Sequence, residues 1–408
     1  MKNSELNKTK KYYGEVWFEE TPTDKRFCVL SFKNDDIFIE TNLSPYPTLE
    51  LVHKIVGKFN GLGFCTLIEC LIFSRTIGIT ENITFQCHYL YFGHSTVVDT
   101  KEMRISDFRV FSDILNKWIG KISVVDLFKE KLIKADFEDS YRIDKIQLDL
   151  SIHFCTRLQN SKKSNVPHSK ITNIGYIGFK MEEPKSIENM IELYNQFKKV
   201  LHLIFSGVLK FNKIEFQCFG RDEWIGLYYN DHTLSLYQNS FVSTDYEEVK
   251  KSLPAILNHA YSNEIVKRCL HRLVENVAYN NILKDRLFIN SISVYERLNK
   301  SNDKDKRSLR TLIAKNKPVF QKIGGISDSS WDSFLDLVIN TRNYYVHLNT
   351  SKKPVFKDYH LPYVSRFFDY VTAYLMLYKL KGVEKLLLEK YIQKGNDAWD
   401  LYKRTMSD

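Results

Sequence analysis

Arg342 and His347 are the two residues of this chain whose types and spacing could do chemistry together, and Asn343 lies beside them. A histidine can take up or release a proton near neutral pH. An arginine that is partly withdrawn from water needs a partner or an anion to face. The segment therefore indicates proton transfer beside a bound anion. Because the Arg-x4-His spacing alone is weakly specific, an arginine salt-bridged inside the fold, with a histidine capping a helix, remains an alternative.

If the surrounding segment is helical, the positions of these residues around the helix axis can be worked out. At about 100° per residue, Asp336, Asn340, Asn343 and His347 form one polar stripe along the helix. The two other rows are largely apolar, which predicts a helix that is buried on most sides. Arg342 interrupts one of these apolar rows.

Arg342 and His347 lie about 140° apart around such a helix. One helix therefore cannot easily aim both side chains at a single atom, whereas two copies related by a dimer axis could bring them into one cleft. We accordingly expect a homodimer that forms through this part of the chain. His347 also occupies the last predicted turn, where the helix dipole favours an imidazolium ion.

A cluster of basic residues precedes this segment. Residues 297–322 contain nine lysines and arginines against Asp303 and Asp305, a local excess of seven positive charges in a chain with a net charge of +10. A solvated lysine-rich loop is one interpretation. The other is a surface that binds the phosphates of RNA or DNA. The candidate phosphate-binding residues are Lys300, Lys304, Lys306, Arg307, Arg310 and Lys315, with Lys352 and Lys353 in the loop after His347.

The hydrophobic pattern divides the chain into two halves. Short β-branched and aromatic runs predict strands over 13–19, 27–32, 37–41, 64–79, 83–92, 148–154, 174–180, 213–219, 224–229 and 233–238. A helical period interrupts them over 106–118 and 186–205. From about residue 245 the helical period is continuous, with predicted helices over 247–259, 264–297, 308–315, 330–349, 361–381 and 383–394.

These elements predict an α+β protein. We expect a polar tail over residues 1–10, a β-rich region over 11–243, an all-α bundle over 244–398 and a C-terminal tail over 399–408. The β-rich region should form an antiparallel sheet or sandwich with attached helices.

Composition excludes several classes of protein. With 43% hydrophobic and 26% charged residues, the chain is neither disordered nor membrane-spanning in character. Seven cysteines without a C-x-x-C pair indicate buried thiols, and the polar N-terminus does not have the pattern of a signal peptide, so we expect a cytoplasmic protein that does not bind a membrane. No metal site and no cofactor are expected, because the common nucleotide-binding and hydrolase motifs are missing from the sequence.

The segment from Arg342 to His347, placed near the end of a helix in a C-terminal bundle, resembles the R-x4-6-H signature of HEPN domains. The helix that contains residues 291–298 also resembles the one that precedes this motif in HEPN bundles. The first half is similar to the N-terminal domain of ApeA-type antiphage proteins. That similarity lies in Gly14, Trp17, Phe18, the strands through Phe32 and over 37–41, and residues 111–118.

The resemblance implies a metal-independent endoribonuclease that cuts tRNA and arrests growth on infection. In this interpretation His347 is the general base or acid at the ribose 2′-OH or the leaving oxygen. Arg342 stabilises charge on the phosphate, and Asn343 orients the phosphate or the imidazole. A 2′-OH nucleophile restricts cleavage to RNA and leaves a 2′,3′-cyclic phosphate. The N-terminal region would then restrain the enzyme and respond to a phage-derived trigger.

Two other classes of function remain open at this point. A non-catalytic, RNA-binding or regulatory HEPN protein would share the basic surface but would bind without turnover. Arg342 would then be salt-bridged to a carboxylate within its own chain, and Glu296 on a neighbouring helix is a candidate partner. A carbohydrate-binding sandwich fused to a structural bundle has only the aromatic β half in its favour.

Overall fold

The computed structural model describes residues 6–45, 51–77, 81–94, 103–112, 115, 118–119, 124–126, 131–133, 136–161, 168–205, 211, 213–230, 245–278, 283–302, 304–347 and 353–407. The strands are β1 Tyr12–Trp17, β2 Arg26–Lys33, β3 Asp36–Thr41, β4 Leu51–Phe59, β5 Gly63–Thr76, β6 Asn82–His94, β7 Ile105–Phe111, β8 Val124–Asp126, β9 Lys131–Ile133, β10 Phe137–Ile143, β11 Leu148–Ser161, β12 His168–Lys185, β13 Lys213–Cys218 and β14 Trp224–Tyr229. The helices are α1 Ile187–Phe205, α2 Tyr246–Val249, α3 Leu253–Ser262, α4 Glu264–Ala278, α5 Lys284–Asn299, α6 Leu309–Lys315, α7 Lys317–Gly324, α8 Asp328–His347, α9 Leu361–Tyr378 and α10 Lys385–Ser407.

The first six strands close into a ring. Their hydrogen-bonded order is β6-β3-β2-β1-β4-β5, and β5 pairs again with β6. A tight turn joins β2 to β3, with Asn34 and Asp35 at positive φ values of 52° and 67°, as a two-residue hairpin connection requires. Apolar side chains from all six strands, among them Val16, Leu30 and Phe85, fill the interior of the ring.

Strand β6 also belongs to a second, open sheet. Its first half pairs with β3, and residues Tyr89–Phe92 pair with β14. From there the antiparallel order continues as β14-β13-β7-β12-β11-β10. The ring and the open sheet are thus connected by continuous backbone hydrogen bonding.

Helix α1 joins the open sheet to the helical bundle. Phe197 of α1 packs edge-on against Phe179 of β12, with 5.0 Å between ring centroids. On the bundle side, the Tyr261 and Tyr391 hydroxyls donate hydrogen bonds of 2.9 Å and 2.8 Å to the carbonyls of Leu193 and Leu203 in α1. One apolar core therefore runs from the open sheet through α1 into the bundle.

The predicted fold class is confirmed: an antiparallel β-rich half precedes an all-α half. The predicted helix over 106–118 is wrong in its first part, because Ile105–Phe111 forms β7 and buries alternate residues, with Phe108 and Val110 facing the core. The prediction also missed β4, β8, β9 and β10. The predicted strand over 233–238 lies outside the described residues.

Helix α7 was not predicted, and three of the predicted helical segments differ from the structure in their boundaries. The helix expected over 264–297 is two helices, α4 and α5, with the turn-favouring Asn280 and Asn281 between them in the sequence. The helix expected over 247–259 is also two, and the second begins with Pro254 in its first turn. The segment expected as a C-terminal tail is helical, since α10 extends through Ser407 and buries Trp399 and Tyr402. No helix in the described part of the chain is long and apolar enough to cross a membrane.

Candidate active site at the end of helix α8

Helix α8 carries the Arg342–His347 segment and buries one face. Its buried side chains are Trp331, Phe334, Leu335, Val338 and Thr341, spaced by three and four residues. Trp331 and Phe334 pack on Phe320 of α7, with ring centroids 6.2 Å and 5.8 Å apart. This aromatic contact fixes the helix against the rest of the bundle.

The other faces of α8 are more open than the sequence predicted. Arg342 and Ile339, expected in a buried row, are half-buried, and Val346 at the end of that row is 42% exposed. The predicted polar stripe does lie toward solvent, with Asp336 and His347 exposed and Asn343 half-buried. The row that contains Arg342 therefore runs from the core to the surface along the helix.

Arg342 and His347 of one chain meet directly. The Arg342 Nη1 atom lies 3.3 Å from His347 Nε2 and 3.3 Å from Asn343 Oδ1. The expectation that one helix cannot easily aim both side chains at a single atom is therefore wrong, since the ends of the two side chains are in contact. The long arginine side chain spans the angle between the two positions, which a comparison of Cβ directions alone does not allow for.

The chain after α8 returns to pack on the helix. The hydroxyl of Thr341 donates to the Leu337 carbonyl at 2.7 Å and accepts the backbone N–H of Phe356 at 2.9 Å. The Tyr345 hydroxyl donates to Asp358 Oδ1 at 2.5 Å. These bonds hold residues 356–358 beside the last two turns of α8.

Arg342 has no carboxylate within 4.0 Å among the described residues, so the salt bridge to Glu296 that the non-catalytic alternative allowed is not formed. Glu296 instead pairs with Lys300 on its own helix, at 2.6 Å. A purely structural Arg342 was expected to form an ion pair within its own chain, and the described part of the structure contains no such ion pair. The guanidinium instead contacts the Asn343 amide and the His347 imidazole.

The basic cluster is partly neutralised within the chain. Four of its residues form ion pairs: Lys300 with Glu296, Arg307 with Asp305, Arg310 with Asp336 and Lys317 with Asp328. Lys304, Lys306, Lys315 and Lys353 are exposed, and none has a described carboxylate within 4.0 Å. Lys352 lies outside the described residues. The positive charge that is available to bind an anion is therefore smaller than the count of basic residues in the sequence suggested.

The Arg310–Asp336 ion pair links this cluster to the candidate site. It connects α6 to the polar stripe of α8. Asp336 precedes His347 by 11 residues on the same face, which is about 16 Å along the helix axis at 1.5 Å per residue. The stripe thus leads from the basic cluster to the histidine.

The geometry at the end of α8 suits acid–base work on a phosphodiester. A neutral His347 ring with its proton on Nδ1 can accept the Arg342 N–H at Nε2. A phosphate placed against the guanidinium would receive charge-assisted hydrogen bonds. The imidazole nitrogen would then be free to exchange a proton with a neighbouring hydroxyl.

A polar cluster that the sequence analysis missed lies between helices of the bundle, with Asn276 and Ser291 buried and Asp369 half-buried. The Asn276 side-chain amide of α4 donates to Ser291 Oγ of α5 at 3.0 Å and to both carboxylate oxygens of Asp369 in α9 at 3.2 Å. Asn276 Oδ1 is buried and has no hydrogen-bond partner among the described residues. Burial raises the pKa of the Asp369 carboxyl to about 7, although the bonds from Ser291 and Asn276 act in the opposite direction.

This cluster predicts a pH dependence of stability. The folded protein holds a proton on Asp369 between about pH 4 and pH 7 that the unfolded chain has already lost, so this group stabilises the fold at low pH and the contribution is lost as the pH rises through 7. Asp369→Asn should remove that dependence and raise the free energy of unfolding at pH 8 by about 1–3 kcal/mol. Urea denaturation at pH 4, 6 and 8 measures it. The exposed Asp332→Asn is the matched control, and parallel pH profiles for Asp369→Asn and wild type would refute the prediction.

Comparisons with known proteins agree with this arrangement. Residues 237–386, which include the whole Arg342–His347 segment, match the family model described as Apea-like HEPN, so the bundle is of the HEPN class. Residues 11–259 match the model described as ApeA N-terminal domain 1. Since this second match covers more than half of the chain, the protein belongs to the ApeA family of antiphage HEPN nucleases. The searches of curated proteins and of solved structures found no match.

Proposed function

We propose that the protein is a metal-independent endoribonuclease that cleaves tRNA at Arg342 and His347. The observation that carries this proposal is the 3.3 Å contact between Arg342 Nη1 and His347 Nε2 at the open end of α8. It lies within the stretch of chain that matches a HEPN domain. An arginine and a histidine in contact supply the positive charge and the proton acceptor that transesterification of RNA needs.

In the proposed reaction, His347 takes the proton of the ribose 2′-OH, and the 2′-oxygen attacks the adjacent phosphorus. The bond to the 5′-oxygen breaks, and that oxygen leaves with a proton from an acid at the site. Arg342 stabilises the negative charge that develops on the non-bridging oxygens, and Asn343 orients the phosphate or the imidazole. The products are a 2′,3′-cyclic phosphate and a 5′-hydroxyl.

The RNA backbone would follow the polar stripe of α8 toward the basic cluster. The exposed lysines without described carboxylate partners, Lys304, Lys306, Lys315 and Lys353, would contact phosphates directly. Lys300, Arg307 and Arg310 would have to exchange their carboxylates for phosphates, and Lys352 would add to the same surface. Binding would weaken with salt, as phosphate contacts require.

A homodimer formed through the bundle would complete the site. Three large side chains near the Arg342–His347 pair are open to solvent: Tyr344 at 40%, Val346 at 42% and Tyr359 at 46% exposure. Exposed apolar groups next to a polar site support an interface there, because burying them against a second copy is favourable. Two copies would then bring two Arg342–His347 pairs to one cleft.

The biological role we propose is abortive infection in the bacterial cytoplasm. Cleavage of tRNA would stop translation in an infected cell. The nuclease activity must therefore be restrained in a cell that is not infected. The N-terminal β-rich region, which matches the ApeA N-terminal domain, would hold the enzyme inactive until it meets a phage-derived trigger.

The test is to incubate the purified protein with total tRNA in EDTA and to analyse the product ends. We expect cleavage that leaves 2′,3′-cyclic phosphates. An RNA oligonucleotide that contains the cleaved site is then compared with the same oligonucleotide carrying one 2′-deoxyribose there, which should resist. Cleavage of the deoxy substrate would contradict the mechanism, and so would RNA cleavage that requires added metal. Salt-sensitive binding of tRNA without cleavage, even with lysate from infected cells added, would favour a non-catalytic regulatory protein.

A further inference from the structure

A cavity of about 620 Å³ lies where α1 of the β-rich half meets α4 and α5 of the bundle. Its volume is in the range of small-molecule binding pockets. None of the residues that line it belongs to α8, and only Arg297, near the end of α5, belongs to the basic cluster, so the cavity is separate from the Arg342–His347 pair.

The lining of this cavity is strongly basic. It contains five lysines and arginines and one acidic residue, Glu192. The basic residues are Lys199 of α1, Lys267, Arg268 and Arg272 of α4, and Arg297 of α5. Positive charge from three helices thus converges on one space, which is unfavourable unless an anion is present.

The chain neutralises only part of this charge. Lys267 pairs with Glu264 at 2.7 Å and Arg272 with Glu275 at 2.8 Å. Lys199 and Arg268 have no described carboxylate within 4.0 Å.

Burial lowers the pKa of the half-buried Lys199 ammonium, and Glu192 and Glu275 offset this only in part. The pKa of His271, also in the lining, is lowered by burial and then by the charge of Lys199. The electrostatics therefore favour an added negative charge beside Lys199.

The remaining lining residues fit a polar ligand of limited size. Gln196, Asn290 and Ser293 offer amide and hydroxyl groups that can bond to sugar hydroxyls or ester oxygens. Cys269 and Val294 provide a small buried apolar wall. The lining contains no Phe, Tyr or Trp on which successive bases of an RNA strand could stack.

We propose that this cavity binds a phosphorylated small molecule, with its phosphates against Lys199 and Arg268. A ligand with two or more phosphate charges matches Lys199 and Arg268, the two cations of the lining for which no carboxylate lies within 4.0 Å in the described part of the chain. The bound molecule contacts α1 and both bundle helices at once, so it stabilises the junction between the two halves of the chain. This site does not depend on the proposed nuclease chemistry, because none of its residues takes part in that reaction.

The experiment is isothermal titration calorimetry of the full-length protein with ATP, with pyrophosphate and with adenosine, which lacks phosphate. We expect ATP to bind and adenosine not to bind. Lys199→Gln and Arg268→Gln should each raise the Kd for ATP at least about tenfold, as loss of a charge-assisted phosphate contact predicts. Arg268 is exposed, so its variant tests the site even if Lys199→Gln folds poorly.

The matched control is Lys385→Gln, which removes an exposed lysine of α10 and should leave the Kd unchanged. Absence of binding by both ATP and pyrophosphate would overturn the proposal, as would equal affinities for the two cavity variants and wild type. A ten-nucleotide RNA that displaces ATP, and whose own affinity falls tenfold in both variants, would assign the cavity to an RNA path and also overturn it. Because calorimetry measures binding of the small molecule and not RNA cleavage, its result does not depend on the nuclease assay.

Discussion

Replacing His347 with alanine is expected to lower the rate of RNA cleavage by about 10²- to 10⁴-fold, the range that a general acid or base contributes. The loss follows from the position of Nε2, which is 3.3 Å from the guanidinium that would hold the phosphate. The fold should be unaffected, because His347 is exposed and its hydrogen-bond partner among the described residues is Arg342. The free energy of unfolding of the His347→Ala variant should remain within about 0.5 kcal/mol of the wild-type value. Single-turnover cleavage and urea denaturation measure the two quantities.

The matched control for this variant is His53→Ala, which removes an exposed histidine from β4, outside the bundle. It should cleave RNA at the wild-type rate. Full activity in His347→Ala would remove the histidine from the chemistry. A parallel loss of activity and stability in that variant would instead mean that His347 acts through the fold.

Val346→Asp is expected to raise the dissociation constant of the proposed dimer at least about 100-fold, because an aspartate in the proposed apolar interface would lose its hydration without gaining a partner. Val346 precedes His347 and is 42% exposed, so in the monomer the new carboxylate stays in water and the fold tolerates it. Analytical ultracentrifugation over a range of protein concentrations measures the constant. Cleavage should fall with the population of dimer.

Leu386→Asp provides a closely matched control. Leu386 lies on α10 with the same exposed fraction, 42%, and outside the proposed interface. Dimerisation should be unchanged in this variant. An unaltered dimer in Val346→Asp, or a protein that is monomeric before any substitution, would rule out the interface at the end of α8.

The positions of most strands and helices follow from hydrophobic period alone, but the way in which the strands close does not. The tight turn at Asn34 and Asp35 was readable from residue type, because these side chains tolerate positive φ. The closure of the ring depends on β5 pairing with β6 while β6 also pairs with β14, which is 138 residues further on for the pair Leu90 and Tyr228. Such long-range register leaves no local signal.

Gly14 shows how a residue can be noticed in sequence and explained only in three dimensions. It is one of the positions that carry the likeness to the ApeA N-terminal domain. In the structure a Cβ at Gly14 would collide with the backbone of Lys58 and Phe59 on β4. The glycine is needed because β1 and β4 approach closely there.

The candidate residues Arg342 and His347 could be selected from the sequence, whereas the electrostatics around them could not be predicted from it. Arg342 and His347 were identified from their types and spacing, but their contact depends on the reach of an arginine side chain. The charge of the basic cluster was overestimated because Asp328 and Asp336, which neutralise Lys317 and Arg310, lie on a later helix. Asp369 was missed because its partners come from two other helices.

The shared strand β6 and the continuous core have a consequence for cooperativity. Because β6 supplies hydrogen bonds to the ring and to the open sheet, the ring cannot melt without exposing the edge of β14. Because α1 packs on the sheet and accepts bonds from Tyr261 and Tyr391, the sheet cannot separate from the bundle without exposing apolar surface on both. The β-rich half and the helical half should therefore unfold together. A change that destabilises the ring should then lower the free energy of unfolding of the whole chain, the nuclease half included.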